Sequence, residues 1–257
     1  MEIALIAFVA AFASLLTFFT GFGLATVLTP VMLLFFPAPT AIMLTAIVHL
    51  LNNLFKYALM RSHIDWRMML RFGLPAGIGA FFGAGLLSYL PGRTLLVSYV
   101  LGGRVFEITT LKLIVGLLMV FFALFEAVPR LKKLEFSQNK VFLGGLISGF
   151  FGGLSGHQGA LRSAFLVRAG LTKEVFIATG IAIACIVDLT RLILYRPFTA
   201  AFDFQAHALL IVAASGAAFF GAMVGNLALK KVEFKAIQLA VAVGVSLLGL
   251  SLAAGLI

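Results

Sequence analysis

Long runs of apolar residues, separated by short clusters of charged and turn-forming residues, occupy almost the whole chain. Hydrophobic residues make up 62% of the 257 positions and charged residues 11%, whereas a soluble domain has roughly half apolar and a quarter charged residues. A disordered chain needs low hydrophobicity and high charge. Both classes are therefore excluded, and the sequence predicts an all-α membrane protein in contact with the lipid bilayer.

The apolar runs predict about ten helices that span or half-span the bilayer. They cover residues 3–20, 24–36, 40–60, 68–90, 108–128, 141–154, 160–169, 174–195, 205–229 and 234–257. The most polar stretch of the chain lies in the middle. It divides the chain into a first half, residues 1–129, a basic linker, residues 130–140, and a second half, residues 141–257.

The two halves resemble each other, which indicates an internal repeat. A shift of 135 or 138 positions superimposes charged and polar residues that are rare inside apolar sequence. The matched pairs are Gly21 with Gly156, Ala25 with Ala160, Asn53 with Asp188, Lys56 with Arg191, Arg61 with Arg196, Asp65 with Asp203, and residues 81–84 with residues 219–222. Because chance alignment rarely matches such charges, a duplication is favoured over two unrelated halves.

The distribution of lysine and arginine predicts that the halves are inverted. If the two short segments that open each half form a hairpin, most basic residues fall on one side of the membrane; if they form one broken span, the charges divide equally. The hairpin places on one side Arg61, Arg67, Arg71, Arg130, Lys132, Lys133, Lys140, Arg168, Lys173, Lys230, Lys231 and Lys235, and on the other Arg93, Arg104, Lys112 and Arg196. Cytoplasmic loops are enriched in Lys and Arg. We therefore expect two inverted repeats, each a short-helix hairpin plus three transmembrane helices, with the linker in the cytoplasm.

Glycine clusters interrupt the first apolar run of each half, at residues 21–23 and 152–159. A short helix follows each cluster, and its first amides lack partners within the helix. Two such N-termini meeting from opposite faces would favour an anion. The alternative is that the glycines only allow close helix packing. The substrate-binding residues that we expect here are Gly21, Phe22, Gly23, Ser155, Gly156, His157, Gln158 and Gly159.

Four charged residues lie inside apolar runs, where each is costly unless it is paired or functional. Arg162 follows Gly159 by about a turn, where the helix dipole repels a cation unless an anion is near. It is therefore the preferred substrate contact. The alternative is that Arg162 is a cytoplasmic charge at the tip of a hairpin that does not reach the middle of the membrane. Asp188 and Arg191 are three positions apart on one helix and can pair. Arg191 is therefore either part of a structural ion pair or part of the substrate site. Lys56 either joins the site or extends to the interface.

A polar patch of His49, Asn52 and Asn53 lies in the third apolar run, and His157 lies in the second glycine cluster. Either histidine could carry a coupling proton, since imidazole titrates near neutral pH. A buried histidine is more often simply hydrogen-bonded, and that alternative stays open. The supporting polar and charged residues are His49, Asn53, Lys56, Asp188 and Arg191.

Sequence motifs for metals, nucleotides and redox groups are absent. No H-E-x-x-H, P-loop or C-x-x-C pattern occurs, and Cys185 is the single cysteine. A membrane enzyme acting on lipids would need paired acidic residues at membrane depth, and Asp188 alone meets that condition. We expect no cofactor and no enzyme activity. The net charge of +10 is explained by membrane topology, so nucleic acid is not an expected partner.

The second glycine cluster belongs to a longer and more specific stretch. Its residues are Ser148-Gly149-Phe150-Phe151-Gly152-Gly153-Leu154-Ser155-Gly156-His157-Gln158-Gly159-Ala160-Leu161-Arg162-Ser163, followed by residues 170–174 (GLTKE) and 178–180 (ATG). Together with Gly21-Phe22-Gly23 and Pro30 of the first half, this pattern resembles the sulfite exporter TauE/SafE family, also called the toluene sulfonate uptake permease family.

The resemblance implies a secondary transporter, and more specifically an exporter, of small sulfur-containing or organic anions such as sulfite and sulfonates. It implies a multi-pass protein of the cell inner membrane. Because no nucleotide-binding motif occurs, the proton-motive force is the expected energy source, and an uncoupled anion channel is the alternative. The sequence leaves the oligomeric state open, a homodimer included.

Overall fold

The computed structural model describes residues 1–20, 23–90, 95–128, 131, 136–200, 202–227 and 235–257. These residues form eleven α-helices, two β-strands and three 3-10 turns. The helices are α1 (Glu2–Thr20), α2 (Leu24–Leu33), α3 (Ala38–Met60), α4 (Trp66–Tyr89), α5 (Thr110–Ala127), α6 (Val141–Ser155), α7 (Gly159–Leu166), α8 (Lys173–Leu194), α9 (Arg196–Ala200), α10 (Ala208–Leu227) and α11 (Lys235–Ala253). The strands are β1 (Leu95–Leu101) and β2 (Arg104–Thr109), and the 3-10 turns are Arg61–His63, Gln138–Lys140 and Val167–Ala169.

Five helical stretches among the described residues are long and apolar enough to cross a membrane. They are Ala38–His63, Trp66–Tyr89, Thr110–Ala127, Lys173–Leu194 and Ala208–Leu227. Shorter apolar helical stretches cover Glu2–Thr17, Leu24–Leu33, Val141–Ser155 and Leu239–Ala253. The prediction of a helical membrane protein with several spans is confirmed.

A β-hairpin, which the sequence analysis did not predict, precedes α5. Strands β1 and β2 pair antiparallel, with Leu101 opposite Arg104. The two residues between them, Gly102 and Gly103, have φ angles of 59° and 77°, which glycine adopts without steric cost. The Tyr99 hydroxyl donates to the backbone oxygen of Ala254 at 2.7 Å, so the hairpin is attached to the segment that follows α11.

Helices α6 and α7 form an antiparallel hairpin. Helix α6 ends at Ser155 and is followed by Gly156, whose φ angle of 85° lies in the left-handed region. Helix α7 begins three residues after Gly156. The backbone nitrogen of Phe136, just before α6, donates to the oxygen of Ala164, near the end of α7, at 3.1 Å. The rings of Phe136 and Phe165 stack with their centroids 4.3 Å apart. The chain therefore returns along α7 to the end of the hairpin where α6 begins.

Helices exchange partners between the two halves of the chain. Helix α4 of the first half packs against α6 and α8, while α10 of the second half packs against α1 and α3. Helix α5 packs against α11, and α3 packs against α8. Helices α3 and α8 run in opposite directions: Asn53 donates to Asp188 at 3.1 Å within both helices, and the backbone nitrogen of Asp65, after α3, donates to Thr179, near the start of α8, at 3.0 Å.

Small residues bring two of these helix pairs into backbone contact. On α4, a Cβ added at Gly83 would overlap the backbone of Phe150 on α6, and on α10 a Cβ at Gly221 would overlap the backbone of Ala11 on α1. Gly153 of the second glycine cluster meets the backbone of Ala80 in the same way. At these positions glycine allows the backbones of two helices to approach closely, as is common between membrane helices.

Candidate functional site

A cavity of about 100 Å³ lies among α1, α2, α3, α7 and α8. The polar side chains that line it are Thr17, His49, Asn52, Asn53, Lys56, Arg162 and Ser163. Two of these side chains are basic, and none of the described lining residues is acidic. A cavity with this lining, inside an otherwise apolar helical protein, is suited to a small anion.

Two short helices begin at the cavity wall. Helix α2 begins at Leu24, directly after Gly23, and α7 begins at Gly159; all three residues line the cavity. The first amides of an α-helix have no carbonyl partner within the helix, and they carry the positive end of the helix dipole. Both helix starts therefore add to the positive potential that the basic side chains create.

Behind the cavity wall, Asp188 joins α3 and α8 in a buried polar network. Its Oδ2 lies 2.6 Å from Nδ1 of His49 and accepts from Nδ2 of Asn53 at 3.1 Å. Its Oδ1 lies 2.9 Å from Nη2 of Arg191, in an ion pair whose angle is not that of a hydrogen bond. Asp188 and Arg191 are both 0% exposed. Each of these two charges thus stabilises the other away from water.

Arg191 also supports the turn between α6 and α7. A Cβ added at Gly156 would lie 2.7 Å from Nη1 of Arg191. The left-handed backbone of Gly156 favours glycine at this position, and the guanidinium occupies the space that a Cβ would enter. The guanidinium therefore fills the space beneath the turn and does not line the cavity.

Lys56 lines the cavity and is 3% exposed. Its Nζ donates to Oγ1 of Thr17 at 2.7 Å. With the amide of Asn52 turned to satisfy its neighbours, Oδ1 of Asn52 accepts from the same Nζ at 3.1 Å. The Thr17 hydroxyl in turn donates to the backbone oxygen of Ser14 at 2.6 Å. These contacts hold the ammonium group inside the protein, so Lys56 does not extend to the membrane interface.

Arg162 contributes the second cation of the lining. Its guanidinium lies over Gly180, where an added Cβ would be 3.3 Å from Nε. Nη1 of Arg162 donates to Oε1 of Gln158 in a long hydrogen bond of 3.5 Å. Within the described part of the chain, no carboxylate lies within 4.0 Å of this guanidinium. The side chain is therefore available to an anion in the cavity.

The residues expected to bind substrate fall into three groups in the structure. Those that line the cavity are Gly23, Gly159 and Arg162, together with the supporting residues His49, Asn53 and Lys56. Those that form the turn behind it are Ser155, Gly156, His157 and Gln158. Gly21 and Phe22 lie outside the described residues.

His157 faces away from the cavity lining. Its ring stacks on Phe122 with the centroids 5.4 Å apart, and its Nδ1 lies 3.1 Å from the Ser155 hydroxyl oxygen. The backbone oxygen of Gln158 accepts from the Ser148 hydroxyl at 3.0 Å. The structure therefore gives His157 and its neighbours contacts that hold the turn, and it brings His49 to the cavity instead.

Several lining residues were not predicted as site residues. Gly180 lies within the Ala178-Thr179-Gly180 stretch that resembles the family pattern, and Asn52 lies in the polar patch beside His49. Both had a signal in the sequence. Ser163 also lies within the stretch that resembles the family pattern, whereas Thr17 had no signal, because a hydroxyl inside an apolar helix commonly bonds to the preceding turn of its own backbone.

Comparison with protein families gives a match over nearly the whole chain. The family described as "Sulfite exporter TauE/SafE" matches residues 6–252. No curated protein and no solved structure matches the chain significantly. The matched range includes every residue that lines the cavity, and it includes helices α3 and α8. The chain is therefore a multi-pass membrane protein, and it belongs to the sulfite exporter TauE/SafE family.

Proposed function

We propose that this protein is a secondary transporter that exports small sulfur-containing or organic oxyanions, such as sulfite or sulfonates, across the inner membrane. The observation that carries the proposal is the cavity lining, which combines two basic side chains and two helix starts with no acidic side chain among its described residues. A cation buried at membrane depth is costly. An anion bound between Lys56 and Arg162 would offset that cost.

The charge of the neighbouring network supports the same conclusion. Asp188 is an acidic residue behind the cavity wall, and its carboxylate already contacts Arg191 and His49. It lies beyond 4.0 Å from the Arg162 guanidinium, so no ion pair between these two residues has to break when a substrate binds. Because a carboxylate or sulfonate forms short, charge-assisted hydrogen bonds with a guanidinium, Arg162 is the main contact that we propose for the anion.

The transport mechanism that we propose uses two inverted repeats, residues 1–129 and 141–257, joined by a cytoplasmic linker at residues 130–140. The antiparallel crossing of α3 and α8, the exchange of helix partners and the hairpin of α6 and α7 support this arrangement. In transporters with inverted repeats, the substrate site lies where the repeats meet, and one repeat rocks against the other. The cavity lies between α3 and α8, as that mechanism requires.

The membrane potential supplies a driving force for export. A negative interior pushes an anion outward with about 2.3 kcal/mol for each charge at 100 mV. A carrier would show saturable flux, whereas a channel would show flux that rises with concentration without saturation. The limited volume of the cavity, about 100 Å³, favours the carrier.

The test uses purified protein in liposomes loaded with sulfite, thiosulfate or methanesulfonate, with release followed over time. Arg162→Gln is expected to weaken the apparent affinity about 10- to 100-fold, because a charge-assisted hydrogen bond contributes about 1.5–3 kcal/mol. Arg71→Gln is the control, since Arg71 is exposed on α4 outside this cavity. The proposal fails if the wild-type protein moves none of these anions, or if both variants transport equally well.

A further inference from the structure

We propose that His49 is the proton-binding residue that links anion binding to pH in this transporter. The inference rests on the proposed function, because it assigns a role within the same cavity. The sequence makes two buried histidines, His49 and His157, candidates for this role. The positions of their rings favour His49, which lines the cavity at 7% exposure while His157 stacks on Phe122 outside the lining.

The hydrogen bond to Asp188 determines which nitrogen of His49 can receive a proton. Nδ1 of His49 lies 2.6 Å from Oδ2 of Asp188. An ionised carboxylate can only accept a hydrogen bond, so Nδ1 carries the hydrogen, and the lone pair of the neutral ring is on Nε2. Asp188 thus fixes the tautomer and orientation of the ring. Such an aspartate also stabilises the imidazolium that forms when Nε2 is protonated.

Besides Asp188, most of the charged side chains near His49 are basic. Asp188 and Arg191 of α8 form one ion pair, Lys56 lies one helical turn away on α3, and Arg162 of α7 lines the same cavity. Cys185 is the remaining titratable side chain nearby on α8, and α2 and α10 carry none. Protonation of His49 therefore adds positive charge to a cavity wall that is already lined by the basic side chains of Lys56 and Arg162.

This arrangement makes proton binding and anion binding mutually favourable. A bound anion lowers the electrostatic cost of the imidazolium, and the imidazolium attracts the anion. By linkage, each ligand must raise the affinity for the other by the same factor, typically 5- to 150-fold. The affinity of the protein for the anion would therefore fall as the pH rises.

The experiment measures binding of methanesulfonate, which stays ionised at all pH values used, by calorimetry in detergent at about pH 6 and pH 8. In the wild-type protein we expect binding to be about tenfold tighter at the lower pH. We also expect net uptake of up to about one proton for each anion, read from buffers with different ionisation enthalpies. His49→Gln keeps an amide donor toward Asp188 but cannot titrate, so both signals should disappear while binding at pH 8 persists.

His157→Gln is the matched control, because this histidine is equally buried but does not line the cavity; it should retain the full pH dependence. The inference is overturned if His49→Gln keeps the pH dependence, if His157→Gln abolishes it, or if Lys56→Gln still binds the anion but loses the pH dependence. If His49→Gln does not fold, His49→Asn replaces it. The wild-type measurement remains decisive by itself, because anion binding without proton uptake excludes the role of His49. Absence of any anion binding would contradict the proposed function and not this assignment alone.

Discussion

Asp188→Ala is expected to lower the free energy of unfolding by about 3–5 kcal/mol, the usual loss when one partner of a buried ion pair is removed. The substitution would leave the guanidinium of Arg191, which is 0% exposed, without its carboxylate. It would also remove the shared acceptor of His49 and Asn53. Unfolding by heat or by denaturing detergent in micelles would measure the loss.

Two further variants test the cause of this loss. Asp188→Leu combined with Arg191→Met removes both charges together and should recover most of the stability, because apolar residues of similar size can replace a buried pair at little cost. Glu174→Ala changes an exposed carboxylate in the first turn of the same helix and should cost less than about 1 kcal/mol. The interpretation is wrong if the double variant is no more stable than Asp188→Ala.

Gly83→Ala and Gly221→Ala are each expected to destabilise the protein by about 1–3 kcal/mol or more, the cost of forcing extra atoms into a packed interface. These glycines occupy matching positions in the two halves, and an added Cβ at either would overlap the backbone of the opposing helix. A single methyl group would therefore push α4 from α6, or α10 from α1. Thermal unfolding of the two variants measures the effect.

The chain contains a matched control for each glycine. Gly85 on α4 and Gly216 on α10 have open space where a Cβ would be placed. Alanine at these positions should be neutral, or stabilise the helix by up to about 1 kcal/mol through its higher helix propensity. If Gly83→Ala and Gly85→Ala unfold at the same temperature, the close contact of α4 with α6 does not contribute to stability.

Individual residues show how far sequence reasoning reached. The alignment of Asn53 and Lys56 with Asp188 and Arg191 drew attention to polar positions in two apolar helices, and the spacing of Asp188 and Arg191 indicated their pairing, which the structure contains at 2.9 Å. These inferences succeeded because a charge inside an apolar run is rare and because helical spacing is a local property. Family membership followed from the glycine-rich stretch at residues 148–163 for the same reason, since its pattern is contiguous.

Other features had a signal that was overlooked or had no signal at all. The Gly102-Gly103 pair between two β-branched and aromatic runs is typical of a tight hairpin turn, yet the surrounding apolar character obscured β1 and β2. The approach of His49 to Asp188 joins residues 139 positions apart. The sequence does not indicate this pairing, because the apolar pattern of each helix is compatible with packing against many other helices.

The amino-acid sequence by itself determined the membrane environment, the helical class and the family, because hydropathy and contiguous motifs are encoded residue by residue. Only the tertiary structure decided that Lys56 and Arg162 line one cavity, that Asp188 is held behind it, and that His49 replaces His157 at the wall. Helix periodicity specifies which face of a helix is polar. The meeting of two faces depends on how small residues such as Gly83 and Gly221 allow whole helices to approach, and that is a property of the packed molecule.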